Sequence, residues 1–227
     1  AYWPSEATLG VVPQPERQTA ARSILAERFQ YGTDAFLGEL MDELQRLGIA
    51  ENTLVVAHAD NGPMVHDPPA GMGQSEIMFR GGKGDYWEGG VRVPAFAWWP
   101  GTIKPGQVVG DIIHETDLFT TFARLAGALD HVPTERIIDG VDQTSLLMNG
   151  DAHSRRDYNF IYTGPILAAT VKGRWKRIWV GDHPGLVGAA FYDLYTDPRE
   201  MFPKLVPYLH VSSSFSKMRK RHELWKQ

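Results

Sequence analysis

The stretch ENTLVVAHADNG, residues 51–62, decides the fold class of this chain. Its centre, residues 53–57, is a continuous apolar and β-branched run, typical of a strand that is buried on both faces in a parallel sheet. From about Thr19 to Leu47, apolar residues recur at steps of three and four, which predicts a long amphipathic helix. Gly48 stands where a left-handed helix cap is expected. A helix followed by a buried strand predicts an α/β fold.

The composition indicates a globular protein and excludes several classes. Of the 227 residues, 43% are hydrophobic and 22% are charged, and no apolar run is long enough to span a membrane. A net charge of -4 argues against nucleic-acid binding. The basic cluster at residues 217–222 is predicted to be the solvated face of a terminal helix rather than a phosphate-binding patch. Because there is no cysteine, disulfides and thiolate metal sites are excluded.

Further along the chain, the pattern predicts a strand, a helix and then a second, smaller unit. The strand covers residues 91–99, and the helix runs from Asp117 to Leu125, with Thr116 or Asp117 as its cap and Gly127 as its end. The composition becomes polar and rich in turns near residue 150. We therefore expect residues 1–150 to form an α/β unit and residues 151–227 to form a smaller subdomain.

The smaller subdomain is predicted to be an antiparallel sheet with a terminal helix. Three short strands are expected: residues 159–162 or 167–171, then 174–180, then 190–194, separated by turns that contain glycine. The helix is expected at residues 215–225.

The first candidate site is Asp60-Asn61-Gly62, at the carboxyl end of the predicted strand. In open α/β sheets ligands bind just outside this end of the strands. A carboxylate beside an amide supplies the oxygen ligands that Ca²⁺ or Mg²⁺ takes, and Gly62 would let the backbone turn away sharply. The alternative is a turn in which Asp60 and Asn61 hydrogen-bond their own backbone.

The second candidate site is the glycine-rich loop RGGKGDYWEGG, residues 80–90. Its five glycines permit close approach of the backbone to a ligand, and Lys83 is a compact cation suited to an anionic oxygen. The spacing is not that of a nucleotide-binding P-loop. The alternative is a flexible loop whose lysine is solvated.

The two candidate sites belong to an ordered series of sequence segments that covers nearly the whole chain from about residue 26 to residue 200. After ENTLVVAHADNG come FRGGKGDYWEGGVRVPAFAWWPG (79–101), HETDLFTTFARLAGA (114–128), DGVDQTSLL (139–147), KGRWKRIWV (172–180) and FYDLYTDPRE (191–200). This series resembles the second half of the sulfatases, members of the alkaline phosphatase superfamily. The resemblance implies that residues 1–150 are the C-terminal part of an α/β catalytic domain, a mixed sheet flanked by helices. Residues 151–227 would then form the smaller antiparallel sheet with a C-terminal helix.

The resemblance also implies roles for particular residues. Asp60 and Asn61 match two ligands of a single divalent cation, usually Ca²⁺, with Mg²⁺ or Mn²⁺ as alternatives. Lys83 matches the lysine that binds the sulfate group, so it is the catalytic and substrate-binding residue that this sequence retains. His66 is a further candidate for the substrate pocket. His58, on the strand itself, could point toward the site or pack beneath it, and packing is the favoured prediction.

One departure from the family pattern concerns the nucleophile. Sulfatases use a formylglycine made from the first residue of a C/S-x-P-x-R motif, and this sequence contains no such motif. In the family the motif, two metal-binding aspartates and further Lys and His residues precede the matched region. We therefore expect the formylglycine in an upstream part, and we expect these 227 residues alone to be inactive.

The predicted function is metal-dependent hydrolysis of a small sulfate ester, with an aryl or carbohydrate leaving group. One alternative is a phosphonate monoester hydrolase or phosphodiesterase of the same superfamily, and another is a non-catalytic protein with a sulfatase fold. No nucleic-acid partner is expected, and the sequence leaves the oligomeric state open. Family habit favours a periplasmic, secreted or lysosomal location over the cytoplasm.

Overall fold

The computed structural model describes residues 32–64, 78–150, 153–180, 190–204 and 209–225. Its helices are α1 (residues 32–46), α2 (Glu88–Val91), α3 (Thr116–Leu125), α4 (Thr144–Met148) and α5 (Leu209–Trp225). Its strands are β1 (Val55–His58), β2 (Ala95–Trp98), β3 (Tyr158–Thr163), β4 (Ile166–Lys172), β5 (Trp175–Ile178) and β6 (Ala190–Asp193). Short 3-10 turns cover Ala50–Asn52 and Leu129–His131. None of these described helices is long and apolar enough to cross a membrane.

Helix α1 ends as its sequence predicts. Gly48 has a φ of 69°, in the left-handed region that glycine enters without a steric penalty. The N–H of Ile49 donates to the carbonyl of Leu44 and that of Gly48 to the carbonyl of Gln45, the pair of bonds that defines a Schellman cap. The predicted helix is therefore confirmed from residue 32 onward; its first part lies outside the described residues.

Strand β1 forms where the apolar run predicts it, but its partner differs from the prediction. Its neighbour among the described residues is β2, which runs antiparallel to it, with Val55 opposite Trp98 and His58 opposite Ala95. The prediction of parallel pairing was therefore wrong for this pair. The expected burial on both faces was wrong as well, since residues 55–57 are half-buried and His58 is exposed in the described structure. An apolar run does not fix the direction of a neighbouring strand, which depends on how the chain returns. β2 is also shorter than predicted, because residues 88–91 form the single turn of α2.

The second sheet is an antiparallel meander in the order β3-β4-β5-β6, as predicted. Both alternative positions for its first strand are strands, and they pair as the hairpin β3–β4. Two-residue turns that begin at Gly164 and Gly173, each with a φ of 54°, connect β3 to β4 and β4 to β5. One face of the sheet carries a core of Ala169, Val171, Ile178, Ala190, Tyr192 and Leu194.

Helix α5 packs on this meander, as predicted for a terminal helix. Phe215 is buried and meets Phe191 of β6 edge to face at 5.4 Å, and His222 stacks on Phe160 of β3 at 4.0 Å. The basic side chains at 217 and 219–221 are exposed, which fits their assignment to a solvated face. The α/β class with an antiparallel sheet and a C-terminal helix is therefore confirmed.

Helix α3 is anchored by the buried carboxylate of Asp117. It begins at Thr116, ends with Gly127 in the left-handed region, and is preceded by Glu115 without a side-chain cap. The predicted capping role of Thr116 or Asp117 was therefore wrong. Asp117 instead accepts hydrogen bonds from the Arg156 guanidinium, with Nε–Oδ2 at 2.8 Å, and from the backbone N–H of Val141 at 2.8 Å.

The proposed division near residue 150 stays a prediction. Side chains from both sides of it are in contact: Gln143 Nε2 donates to Ser154 Oγ at 3.0 Å, and Arg156 reaches Asp117. These contacts fix the start of the meander against α3.

We predict that Asp117→Ala lowers the free energy of unfolding by about 3 kcal/mol, because Arg156 would be left nearly buried without a counter-charge. Urea denaturation followed by circular dichroism measures the loss. The control is Asp157→Ala, which breaks an exposed ion pair with Lys172 and should cost less than about 1 kcal/mol. Equal losses in the two variants would contradict the role of the Asp117 anchor.

We also predict a pH dependence that Asp117 carries. Burial alone would raise the pKa of this carboxyl. The Arg156 guanidinium and the backbone N–H groups of His114 and Val141 outweigh burial and hold the pKa below its ordinary value. The stability it contributes is therefore complete above the unfolded pKa, near 4, and is lost as pH falls through the lower folded value. The difference in unfolding free energy between wild type and Asp117→Asn should shrink from pH 6 to pH 2, and a constant difference would contradict this.

Candidate functional site

Asp60 and Asn61 lie directly after β1, at its carboxyl end, as predicted. The backbone bends at both residues; the side chain of Asp60 is exposed and that of Asn61 is half-buried. Across the described residues, neither the Asp60 carboxylate nor the Asn61 amide has a hydrogen-bond partner. The alternative of a turn closed by these side chains is therefore not what the structure contains, and their oxygens are available to a ligand.

These two side chains suit a hard divalent cation but cannot surround one. Calcium takes about six to eight oxygen ligands, and Asp60 and Asn61 offer a carboxylate and an amide oxygen from adjacent positions. Within the part of the chain that is described, no group of three or more His, Cys or acidic side chains could hold a metal ion. Asp60 and Asn61 therefore fit as part of a coordination shell.

The loop that carries Lys83 is ordered by its glycines. Gly81 and Gly84 have φ angles of 74° and 93°, so the chain on both sides of Lys83 adopts left-handed conformations. The backbone N–H of Gly82 donates to the Asp85 carboxylate at 3.1 Å, and the N–H of Asp85 returns to the Gly82 carbonyl at 2.9 Å. The backbone at Gly82 is buried while the Lys83 side chain is exposed. These contacts define the backbone of the loop, while the exposed Lys83 side chain agrees with the solvated lysine of the alternative.

Backbone hydrogen bonds bring the two candidate sites together. The N–H of Lys83 donates to the carbonyl of Pro63 at 2.8 Å, and the N–H of Gly62 donates to the carbonyl of Gly90 at 3.0 Å. The segment that contains Asp60 and Asn61 is therefore held against both ends of the lysine loop. Asn61 and Lys83, which are 22 residues apart in sequence, are thereby carried on neighbouring segments of backbone.

The glycines at this junction are required by close approach of the backbone. A Cβ on Gly62 would lie 1.7 Å from the carbonyl oxygen of Gly89, and one on Gly89 would lie 2.4 Å from that of Arg80. No side chain fits at either distance. Gly62 was predicted to permit a sharp turn, but its φ is not positive. The structure gives a different reason for glycine at this position: the backbone of Gly89 already fills the space that a Cβ would occupy.

The lysine loop is docked on the meander by aromatic and cationic side chains. Tyr86 and Trp87 pack against the core of the second sheet, and Trp87 meets Tyr192 edge to face at 5.7 Å. The Arg80 guanidinium lies 3.7 Å from the centre of the Trp87 ring and donates to the backbone carbonyl of Glu200 at 2.9 Å. The loop is therefore fixed from β1 on one side and from the meander on the other.

Sequence reasoning missed three buried charged residues beside this loop: Glu88, Lys176 and Glu200. The Lys176 ammonium lies 3.1 Å from Glu88 Oε1 and 2.9 Å from Glu200 Oε1. Burial raises the pKa of Glu200, and the opposing effect of Lys176 does not cancel it. One signal was available: Lys176 occupies an inward position of a strand, where an unpaired lysine would not be tolerated.

The histidines add little to the described site. His66, the predicted pocket residue, lies outside the described residues. His58 is exposed at the end of β1, with Nδ1 2.9 Å from the carbonyl oxygen of Ala59, so the prediction that it packs beneath the site was wrong. The last residue of a strand at a sheet edge is free to turn outward, which periodicity does not reveal.

Comparison with known proteins gives one consistent family. A family model described as Sulfatase matches residues 14–128, about half of the chain. The chain is 40% identical over 201 residues to the steryl-sulfatase of Rattus norvegicus, covering 75% of this chain and 34% of that protein. It is 38% identical over 184 residues to the N-acetylgalactosamine-6-sulfatase of Mus musculus, covering 78% and 34%. It spans about a third of the length of these relatives.

Solved structures agree with the sequence relatives. A sulfatase from Pseudoalteromonas sp. superposes with a TM-score of 0.73 at 30% identity, over 84% of this chain and 40% of that one. A structure from Bacteroides thetaiotaomicron, described in terms of the metabolism of multiple glycosaminoglycans, gives 0.70 at 25% identity, over 85% and 43%. The fold predicted from the series of motifs is confirmed, and the chain belongs to the sulfatase family.

Proposed function

We propose that this chain contributes the sulfate-binding lysine and part of the metal site of a sulfate ester hydrolase. The observation that carries the proposal is the hydrogen bond from the Lys83 N–H to the Pro63 carbonyl, which joins the lysine loop to the segment after β1. This contact supports a site in which the Lys83 ammonium and the oxygens of Asp60 and Asn61 act together. The sulfatase family is generally metal-dependent, which supports the same assignment.

Each of the three residues has a defined role in this proposal. Asp60 and Asn61 hold a divalent cation, for which Ca²⁺ is the first candidate and Mg²⁺ or Mn²⁺ the alternatives, since Ca²⁺ tolerates irregular oxygen shells. When bound, the cation supplies a Lewis acid for a sulfate oxygen. The Lys83 ammonium is exposed and has no partner among the described residues, so it is free to offset charge that develops on the sulfate group.

The nucleophile of the proposed reaction comes from residues other than these 227, because the sequence has no C/S-x-P-x-R motif. The substrates are proposed to be small aryl or carbohydrate sulfate esters, in line with relatives named for steryl and N-acetylgalactosamine-6 sulfates. His66 remains the proposed pocket residue. Proteins with the same metal ligands that act on phosphonate monoesters or phosphodiesters are the nearest rivals.

We predict that Lys83→Ala lowers kcat/KM for a nitrophenyl sulfate by about 10²- to 10³-fold, the usual cost of losing one group that stabilises developing charge. The assay uses the protein that carries this chain together with the nucleophile segment. The matched control is Lys104→Ala, an exposed loop lysine outside the site, which should leave turnover unchanged.

Two results would contradict the proposed activity. Wild-type turnover by Lys83→Ala would remove the lysine from the reaction. Faster turnover of the nitrophenyl phosphodiester than of the sulfate would favour the phosphodiesterase alternative, and turnover of neither would favour the non-catalytic one.

We also predict that Asp60→Ala abolishes the stabilisation that Ca²⁺ gives. In the same protein, Ca²⁺ at about 100 times its Kd should add about 2.7 kcal/mol to the unfolding free energy, because it binds only the folded state. Titration calorimetry and thermal unfolding with and without a chelator measure the effect. Asp85→Ala, which changes a nearby carboxylate in the lysine loop, should retain Ca²⁺ binding, and equal loss in both variants would argue against Asp60 as a ligand.

A further inference from the structure

A buried charged cluster, defined here as Glu88, Lys176 and Glu200, connects three distant parts of the chain. Lys176 lies on β5, Glu88 begins α2 directly after the lysine loop, and Glu200 lies in the turn after β6. All three side chains are almost completely buried, with 0% exposure for Lys176 and Glu200. Lys176 hydrogen-bonds Glu88 Oε1 at 3.1 Å, and its contact with Glu200 Oε1 at 2.9 Å is an ion pair without hydrogen-bond geometry.

The cluster holds backbone as well as side chains of the lysine loop. Glu200 Oε2 accepts the N–H of Glu88 at 2.6 Å, so this carboxylate binds the first residue of α2 directly. The next N–H, of Gly89, donates to the carbonyl of Arg80 at 2.7 Å and closes the loop at its base. Arg80 in turn donates from its guanidinium to the Glu200 carbonyl. Both ends of the loop that carries Lys83 are therefore attached to the residue at position 200.

Glu200 is held in an unusual conformation to do this. Its φ of 55° makes it the one non-glycine residue with a positive φ in the described part of the chain. Such a conformation is sterically unfavourable for a side chain other than glycine and persists only where the surroundings determine it. Here the Asp197 carboxylate accepts the N–H groups of Met201 and Phe202, and Lys204 pairs with Phe191 of β6. The turn is thus built to present the Glu200 side chain to α2.

Stability alone does not explain three buried charges. Apolar side chains of similar volume commonly match or exceed the stability that a buried ion pair gives, because desolvation of the charges offsets their attraction. A charged cluster instead favours one arrangement of the segments that carry it, because each buried charge must pair with a particular partner. A lysine that binds a sulfate group must be held within a fraction of an ångström of its working position, so a loop with one fixed arrangement suits it.

We infer that Lys176 and Glu200 are positioning residues for Lys83: they fix the lysine loop on the meander and so set where its ammonium meets the sulfate ester. The inference rests on the proposed function of Lys83. It gives the second sheet a part in the reaction, although neither residue touches the substrate.

The test compares Lys176→Met, Lys176→Arg and Glu200→Gln in the protein that carries this chain together with the nucleophile segment. Lys176→Met should lower kcat about 10- to 100-fold, as expected for a displaced catalytic group, with KM changed less than about twofold. Lys176→Arg keeps the charge and should recover most of the loss. Lys172→Met, which removes an ion-paired lysine from the neighbouring strand β4, is the matched control and should behave as wild type.

A second measurement follows the loop itself. Hydrogen exchange of peptides that cover residues 79–90 should be faster in Lys176→Met and Glu200→Gln than in wild type, and unchanged in Lys172→Met. If Lys176→Met does not fold, Glu200→Gln decides, because glutamine retains an acceptor for the Glu88 N–H and removes only the charge. Its expected result is a lower kcat with an unchanged circular dichroism spectrum.

The outcomes separate the inference from the proposed function. Normal kcat and normal exchange in a folded Glu200→Gln or Lys176→Met, where Lys83→Ala is inactive, would overturn the inference alone. Full activity of Lys83→Ala would overturn the proposed function and, with it, the catalytic part of the inference. In that case, unchanged hydrogen exchange at residues 79–90 in Lys176→Met and Glu200→Gln would also overturn the inference that these residues fix the lysine loop.

Discussion

The close backbone contact between the segment after β1 and the lysine loop is the constraint on which the rest of the site depends. Gly62 and Gly89 meet with no room for a Cβ, and hydrogen bonds from Gly62 and Lys83 close the contact on both sides. Any side chain at these glycines would force the segments apart by more than an ångström. The spacing between the segment that carries Asp60 and Asn61 and the loop that carries Lys83 is thus set by backbone contacts.

The second sheet completes this arrangement from the other side. Trp87 and Tyr86 pack on its core, Arg80 spans the Trp87 ring and the Glu200 carbonyl, and Lys176 extends from β5 into the interior. The residues proposed to act on the substrate therefore lie outside the meander, while several residues that hold their loop belong to it. The meander therefore does more than cover one face of the protein, since it carries the charges that hold the loop.

Much of the fold was predictable because its signals are local. The helix end at Gly48, the strand after Thr53, helix α3 and the meander each follow from periodicity and turn residues within a short window. The direction of β2 was not predictable, because it depends on how the chain returns. The exposed side chain of His58 was not predictable either, since periodicity does not reveal how the last residue of a strand turns. The roles proposed for Asp60, Asn61 and Lys83 came from residue chemistry, position after a strand, and the resemblance of the motif series.

The sequence by itself determined the family, the α/β class and the identity of the residues suited to a metal and a sulfate group. These are properties of composition and spacing, and a single chain displays them. Only the tertiary structure decided that the segments carrying Asp60 and Lys83 lie side by side, that Gly62 is needed for closeness rather than for turning, and that Glu88, Lys176 and Glu200 meet. Such contacts join residues up to 112 positions apart, and no local pattern records which buried charges will find each other.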